Sequence, residues 1–108
     1  MAIQRFGRVI KLKPGAYEEY KRLHANTWDE ILADIHESNI RNFNIYHWNG
    51  YLFAYMEYVG NDFETDMKMK ADTPHNKKWQ EITRAMQEPV DEDSGYWWFP
   101  MEELFHTD

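Results

Sequence analysis

The stretch N-F-N-I-Y-H-W-N-G-Y-L-F-A-Y-M-E-Y-V, residues 42–59, decides the fold. Two runs rich in aromatic side chains flank Asn49-Gly50. Aromatic and β-branched side chains suit a pleated, half-buried surface. Asn and Gly both tolerate the positive φ that a two-residue hairpin turn demands. The spacing therefore predicts two antiparallel strands that meet at Asn49-Gly50.

Working outward, I-Q-R-F-G-R-V-I-K-L-K (residues 3–13) alternates as a strand, with Phe6, Ile10 and Leu12 on one face and Arg5, Gly7, Val9 and Lys11 on the other. Pro14-Gly15 ends it. A helix is predicted from about Ala16 to His36, with Tyr20, Leu23/His24, Thr27/Trp28, Ile31 and Ile35 on its inward face. After Gly60 a short helix follows, with Asn61 as its cap. Thr73 then caps a further helix and Pro74 takes its first position, where the missing N–H costs nothing. That helix carries Trp79, Ile82/Thr83 and Met86 on one stripe. Pro89 and D-E-D-S-G read as a loop, and Y-W-W-F-P-M-E-E-L-F as a last strand broken by Pro100, which belongs at a sheet edge.

The order strand, helix, strand, strand, helix, strand predicts an α+β fold: the ferredoxin-like split βαβ arrangement, an antiparallel sheet with helices on one face. A length of 108 residues and the lack of repeats predict a single domain over 1–108. The sheet face without helices needs a cover, and a dimer that packs two such faces together supplies one. The aromatic share of 17% suits a covered face.

The net charge of −7 argues against a nucleic-acid partner, since phosphate binding needs clustered Lys and Arg. No apolar run is long enough to span a membrane, and M-A-I-Q-R-F-G-R lacks the apolar core of a secretory signal. With no cysteine there is no disulfide framework or thiolate metal site, and a cytoplasmic location is expected. His36, His47, His75 and His106 have no metal-ligand spacing, so no metal or cofactor is expected.

Tyr20, His24 and Trp28 stand four residues apart on one helical face. An imidazole titrates near neutrality and can give or take a proton, and Tyr20 one turn earlier could orient a ligand beside it. The competing reading of His24 is a core-edge ring whose nitrogens bond to backbone. Trp79 is open in the same way, either as a stacking wall for the apolar side of a sugar or as core filling.

P-G-A-Y-E-E-Y-K-R-L-H-A-N-T-W-D-E resembles the L-rhamnose mutarotase family in its spaced Tyr20, His24, Trp28 and Glu30. The resemblance continues through N-F-N-I-Y, D-T-P-H-N-K-K-W and W-W-F-P-M-E-E-L-F-H, and so covers nearly the whole chain. It implies a dimeric α+β barrel, an isomerase that exchanges the α and β anomers of a 6-deoxy-L-aldose without a cofactor. It further implies that His24 transfers the proton and that Tyr20 and Trp79 contact the sugar. Two positions depart from the family pattern. Gln80 stands where a second Trp is common, and Phe43 where some members carry a tyrosine. L-Fucose is therefore a second expected substrate. An oxygenase or haem-handling protein of the same fold, and a sugar-binding module without catalysis, are the rival functions. Trp28 is expected to pack so as to hold the His24 rotamer.

Overall fold

The computed structural model describes residues 2–108. Its elements run β1 (Gln4–Leu12), α1 (Tyr17–Ala25), α2 (Asp29–Glu37), β2 (Ile40–Trp48), β3 (Tyr51–Tyr58), α3 (Phe63–Ala71), α4 (Pro74–Arg84), β4 (Gln87–Glu88) and β5 (Phe99–Met101), with a 3₁₀ turn at Glu92–Ser94. The sheet is antiparallel in the order β2-β3-β1-β4, and β5 also pairs with β1. This is the expected α+β, ferredoxin-like arrangement.

The hairpin forms where expected. Asn49 and Gly50 take φ of 52° and 79°, and His47 pairs with Leu52 across the turn. Thr73 caps α4 by accepting from the Asn76 N–H, with Pro74 in the first turn. Pro100 sits opposite Arg8 on the outer side of β1, at the sheet edge. The edge beside β1 is filled in two pieces, with β4 against Lys11–Leu12 and β5 against Gly7–Val9.

Two expectations need correction. The predicted helix over Ala16–His36 is two helices. Asn26 Nδ2 donates to the Arg22 carbonyl and Thr27 Oγ1 to the His24 carbonyl, so side chains satisfy the carbonyls that end α1. Trp28 is then extended (φ −61°, ψ 140°), and Asp29 and Glu30 open α2, where negative charge suits the helix N-terminus. The cap of α3 is Asp62 and not Asn61: its carboxylate accepts from the Thr65 N–H at 3.2 Å and the Thr65 hydroxyl at 2.8 Å. A carboxylate accepts both bonds more strongly than an amide oxygen would.

The inward face of the sheet carries two apolar clusters. Ile10, Leu12 and Leu52 pack with Tyr20 of α1 at one end. Ile40, Met56 and Tyr58 pack with Phe6, Ile35, Phe63 and Met67 at the other. On β1 the inward row is Phe6, Arg8, Ile10, Leu12, and Arg8 stands opposite Ala54 of β3. A cation facing an alanine thus separates the two clusters. The opposite face is partly bare. It includes Tyr46 and Trp48 of β2, and Trp48 is 68% exposed.

Asp34 of α2 braces α4. Its Oδ2 accepts from Thr73 Oγ1 at 2.9 Å, Asn76 Nδ2 at 3.1 Å and His75 Nε2 at 2.5 Å. Burial pushes this carboxyl up, but the bonds from Asn76, Thr73 and His75 outweigh it and hold the group below the ordinary aspartate value. The stability it supplies is present above the unfolded pKa and is lost as pH falls through the lower folded one. Asp34→Ala is predicted to cost about 1–3 kcal/mol at pH 7, because three donors lose their acceptor. The deficit shrinks below about pH 4, the unfolded aspartate range. Urea unfolding at pH 7 and pH 3 measures this, and equal deficits at both values would contradict it.

Candidate active site

A cavity of about 690 Å³ lies between the helices and the inward face of the sheet. Every sequence-predicted site residue, Tyr20, His24 and Trp79, lines it. Phe43 and Gln80, the two departures, line it as well. Phe43 follows the inward alternation of His47 and Ile45, which stand opposite Leu52 and Ala54, and the register shift between Arg41 and Asn44, with Asn42 in the left-handed region at φ 50°, lets Ile40 face the same side.

His24 stands in the last turn of α1. Its Nδ1 lies 2.9 Å from the Tyr20 carbonyl oxygen. A carbonyl only accepts, so Nδ1 carries the hydrogen and the neutral ring leaves Nε2 as a free lone pair. The ring stacks on Tyr20 at 4.1 Å and meets the edge of Trp79 at 5.4 Å. Burial pulls its pKa below the ordinary histidine value, partly offset by the bond to the Tyr20 carbonyl. The ring is therefore held as a neutral base at neutral pH.

Tyr20 is 5% exposed, and its hydroxyl accepts from Gln87 Nε2 at 3.0 Å. Gln87 Oε1 in turn accepts from Trp97 Nε1 at 2.8 Å. This chain fixes the amide orientation of Gln87: the indole can only donate, so the amide oxygen must face it and the NH₂ must face Tyr20. The phenol then keeps its own O–H to donate into the cavity. Burial raises its pKa to about 12, with the Gln87 bond opposing, so it stays a protonated donor.

Trp79, 7% exposed, is at once packed and cavity-lining. It meets His24 on one side and the edge of Trp28, at 5.1 Å, on the other. The histidine rotamer is thus held by Tyr20 and Trp79, and Trp28 acts on Trp79. That replaces the direct role expected of Trp28. Sequence reasoning missed Gln87 and Trp97. Nothing in Q-E-P or W-W-F marks them until β4 and the acidic loop bring them under Tyr20. It also passed over Arg8, although an arginine between Phe6 and Ile10 interrupts an apolar row. No group of three or more His, Cys, Asp or Glu among the described residues is placed to hold a metal ion.

The L-rhamnose mutarotase family model matches residues 5–107. An L-rhamnose mutarotase of Lactiplantibacillus plantarum is 30% identical over 106 residues, 96% of this chain and 98% of that protein. Among solved structures, an L-rhamnose mutarotase of Formosa agariphila superposes with a TM-score of 0.76 at 22% identity, covering 97% of this chain and 99% of that one. Tetracenomycin F2 cyclase of Streptomyces glaucescens superposes with a TM-score of 0.65 at 15% identity, covering 96% and 95%. At these identities the two structures speak for a shared fold.

The depressed basicity of His24 is testable by itself. Its ring Cε1–H resonance is predicted to titrate with a midpoint below 6.5, the ordinary histidine value. A midpoint at or above that value would contradict the burial argument.

Proposed function

The chain belongs to the L-rhamnose mutarotase family, and on that premise we propose that it exchanges the α and β anomers of L-rhamnose through His24, as an isomerase. An enzyme acting on sugars follows from the family itself. The role of each side chain is the inference. The observation that carries it is the His24 ring in the cavity wall, with Nδ1 tied to the Tyr20 carbonyl and Nε2 left free.

A pyranose changes anomer by opening its ring. Nε2 of His24 takes the proton of the anomeric hydroxyl as the C1–O5 bond breaks, and the ring oxygen gains a proton from solvent water, which takes it back when the ring closes. The aldehyde rotates about C1–C2, and O5 attacks its other face. His24 then returns its proton to the oxygen on C1, while the O5 hydroxyl gives up the proton it had gained. Tyr20, kept protonated, donates a hydrogen bond to a sugar oxygen. Trp79 offers an apolar wall beside the imidazole. A positioned acid–base group contributes about 10²–10⁴-fold, enough for a reaction that also proceeds unaided in water.

The reading includes a homodimer. Tyr46 and Trp48 are exposed on the sheet face opposite the cavity, and Leu104 and Phe105 are exposed beyond β5. A second copy packed on that face would remove this apolar surface from water. Among the described residues no helix is long and apolar enough to cross a membrane, and a cytoplasmic location belongs to the same proposal.

His24→Ala is predicted to keep the fold and to bring anomer exchange, followed by saturation-transfer NMR on L-rhamnose, to the background rate. Full exchange in a folded variant would remove His24 from the mechanism. Tyr20→Phe is predicted to weaken binding by about 0.5–1.5 kcal/mol, one hydrogen bond. L-Fucose run beside L-rhamnose reads out what Phe43 and Gln80 do to sugar choice. Trp48→Glu is predicted to halve the molecular mass in sedimentation equilibrium. An unchanged mass would move the interface elsewhere.

A further inference from the structure

The chain carries 19 acidic against 12 basic residues, yet no Asp or Glu lines its cavity. Three permanent cations do: Arg8, Arg41 and Lys70. Arg41 is already engaged, since its Nη1 donates to the His36 and Ile40 carbonyls at 2.9 and 2.8 Å. Arg8 and Lys70 are not. Among the described residues neither lies within 4.0 Å of a carboxylate. Both are half-buried. Arg8 rests its guanidinium over the Phe6 ring at 5.3 Å, and among the described residues its N–H fork meets no protein acceptor.

Half-burying a cation without a partner is costly, and a neutral sugar does not require it. A leucine at position 8 would continue the apolar row of Phe6, Ile10 and Leu12 and join the two core clusters. The chain instead places an arginine there, opposite Ala54, whose small side chain leaves it room. Burial depresses Arg8. It depresses Lys70 too, where the charge of Asp34 opposes and the like charge of Arg8 adds. Asp34 is no substitute for a direct partner, because its Oδ2 already serves Thr73, His75 and Asn76. Two like charges that feel each other in one cavity wall are stabilised by an anion between them.

We infer that the cavity receives an aldose bearing an oxyanion substituent (sulfate ester, phosphate ester or carboxylate) that binds between Arg8 and Lys70. The inference rests on the mutarotase reading and narrows its substrate class. Arg8 lies two residues, about 7 Å, along β1 from Ile10, against which Tyr20 packs. One substituted monosaccharide bridges that interval. The cavity volume falls in the range that accommodates ligands larger than a bare hexose.

The test compares anomer exchange of L-rhamnose with that of its 2-, 3- and 4-sulfates, its corresponding phosphates, and L-iduronate. The expected result is a kcat/KM at least tenfold higher for one anionic sugar than for L-rhamnose, with inorganic sulfate competing. Arg8→Gln and Lys70→Gln each lower that preference by about tenfold, the worth of one charge-assisted bond. Lys70→Arg retains it, which separates charge from packing. The identity of the preferred anion tells ester from carboxylate. Equal or poorer exchange of every anionic sugar, with L-rhamnose still turned over, overturns this inference and leaves the mutarotase function standing. Exchange of no sugar at all overturns the function and this inference with it.

Discussion

The bond from His24 Nδ1 to the Tyr20 carbonyl is the contact on which the site depends. It joins residues one helical turn apart, so α1 alone sets it up. It decides which nitrogen holds the hydrogen and leaves the other as a base. The stack on Tyr20 and the edge of Trp79 stop the ring from turning away. Burial keeps the ring neutral, as a base must be before it can accept a proton. The same tyrosine thus holds the imidazole by its backbone and ring and faces the cavity with its hydroxyl. That hydroxyl is itself oriented by Gln87 and Trp97.

The fold makes room for this by dividing its core. An uninterrupted apolar row on β1 would close the space between the helices and the sheet. Arg8 opposite Ala54 breaks that row, and the two clusters gather at either end. Asp34 then fixes α4 to α2 through Thr73, His75 and Asn76. Trp79, about one turn beyond this brace, is thereby held at the cavity wall. A polar brace at one helix end and an aromatic contact a turn later divide the work of placing α4.

Much of this was legible in the chain because it is local. Asn49-Gly50 fixes its hairpin through the φ values only those residues adopt easily, and Thr73-Pro74 fixes a helix start through a hydroxyl that accepts from the Asn76 N–H and a proline that needs no partner for a missing N–H. The pairing of Tyr20 with His24 follows from helical spacing, and the family resemblance named Trp79. The break at Asn26–Trp28 was hidden by the side chains around it. The apolar and aromatic spacing of Tyr20, His24, Trp28, Ile31 and Ile35 runs straight through it, and the capping by Asn26 and Thr27 is visible only from their bonds. Gln87 and Trp97 were not legible as site residues, because a late two-residue strand and a loop deliver them. Their roles exist only once distant segments meet.

The central claim is that His24 presents an unprotonated Nε2 to a bound sugar. Long-range ¹H–¹⁵N correlation of the imidazole at pH 7.5 tests it most directly. The account predicts the Nδ1–H pattern for His24, with the Nε2 resonance shifting when L-rhamnose is added. An Nε2–H pattern, or an Nε2 signal indifferent to saturating sugar, would contradict it.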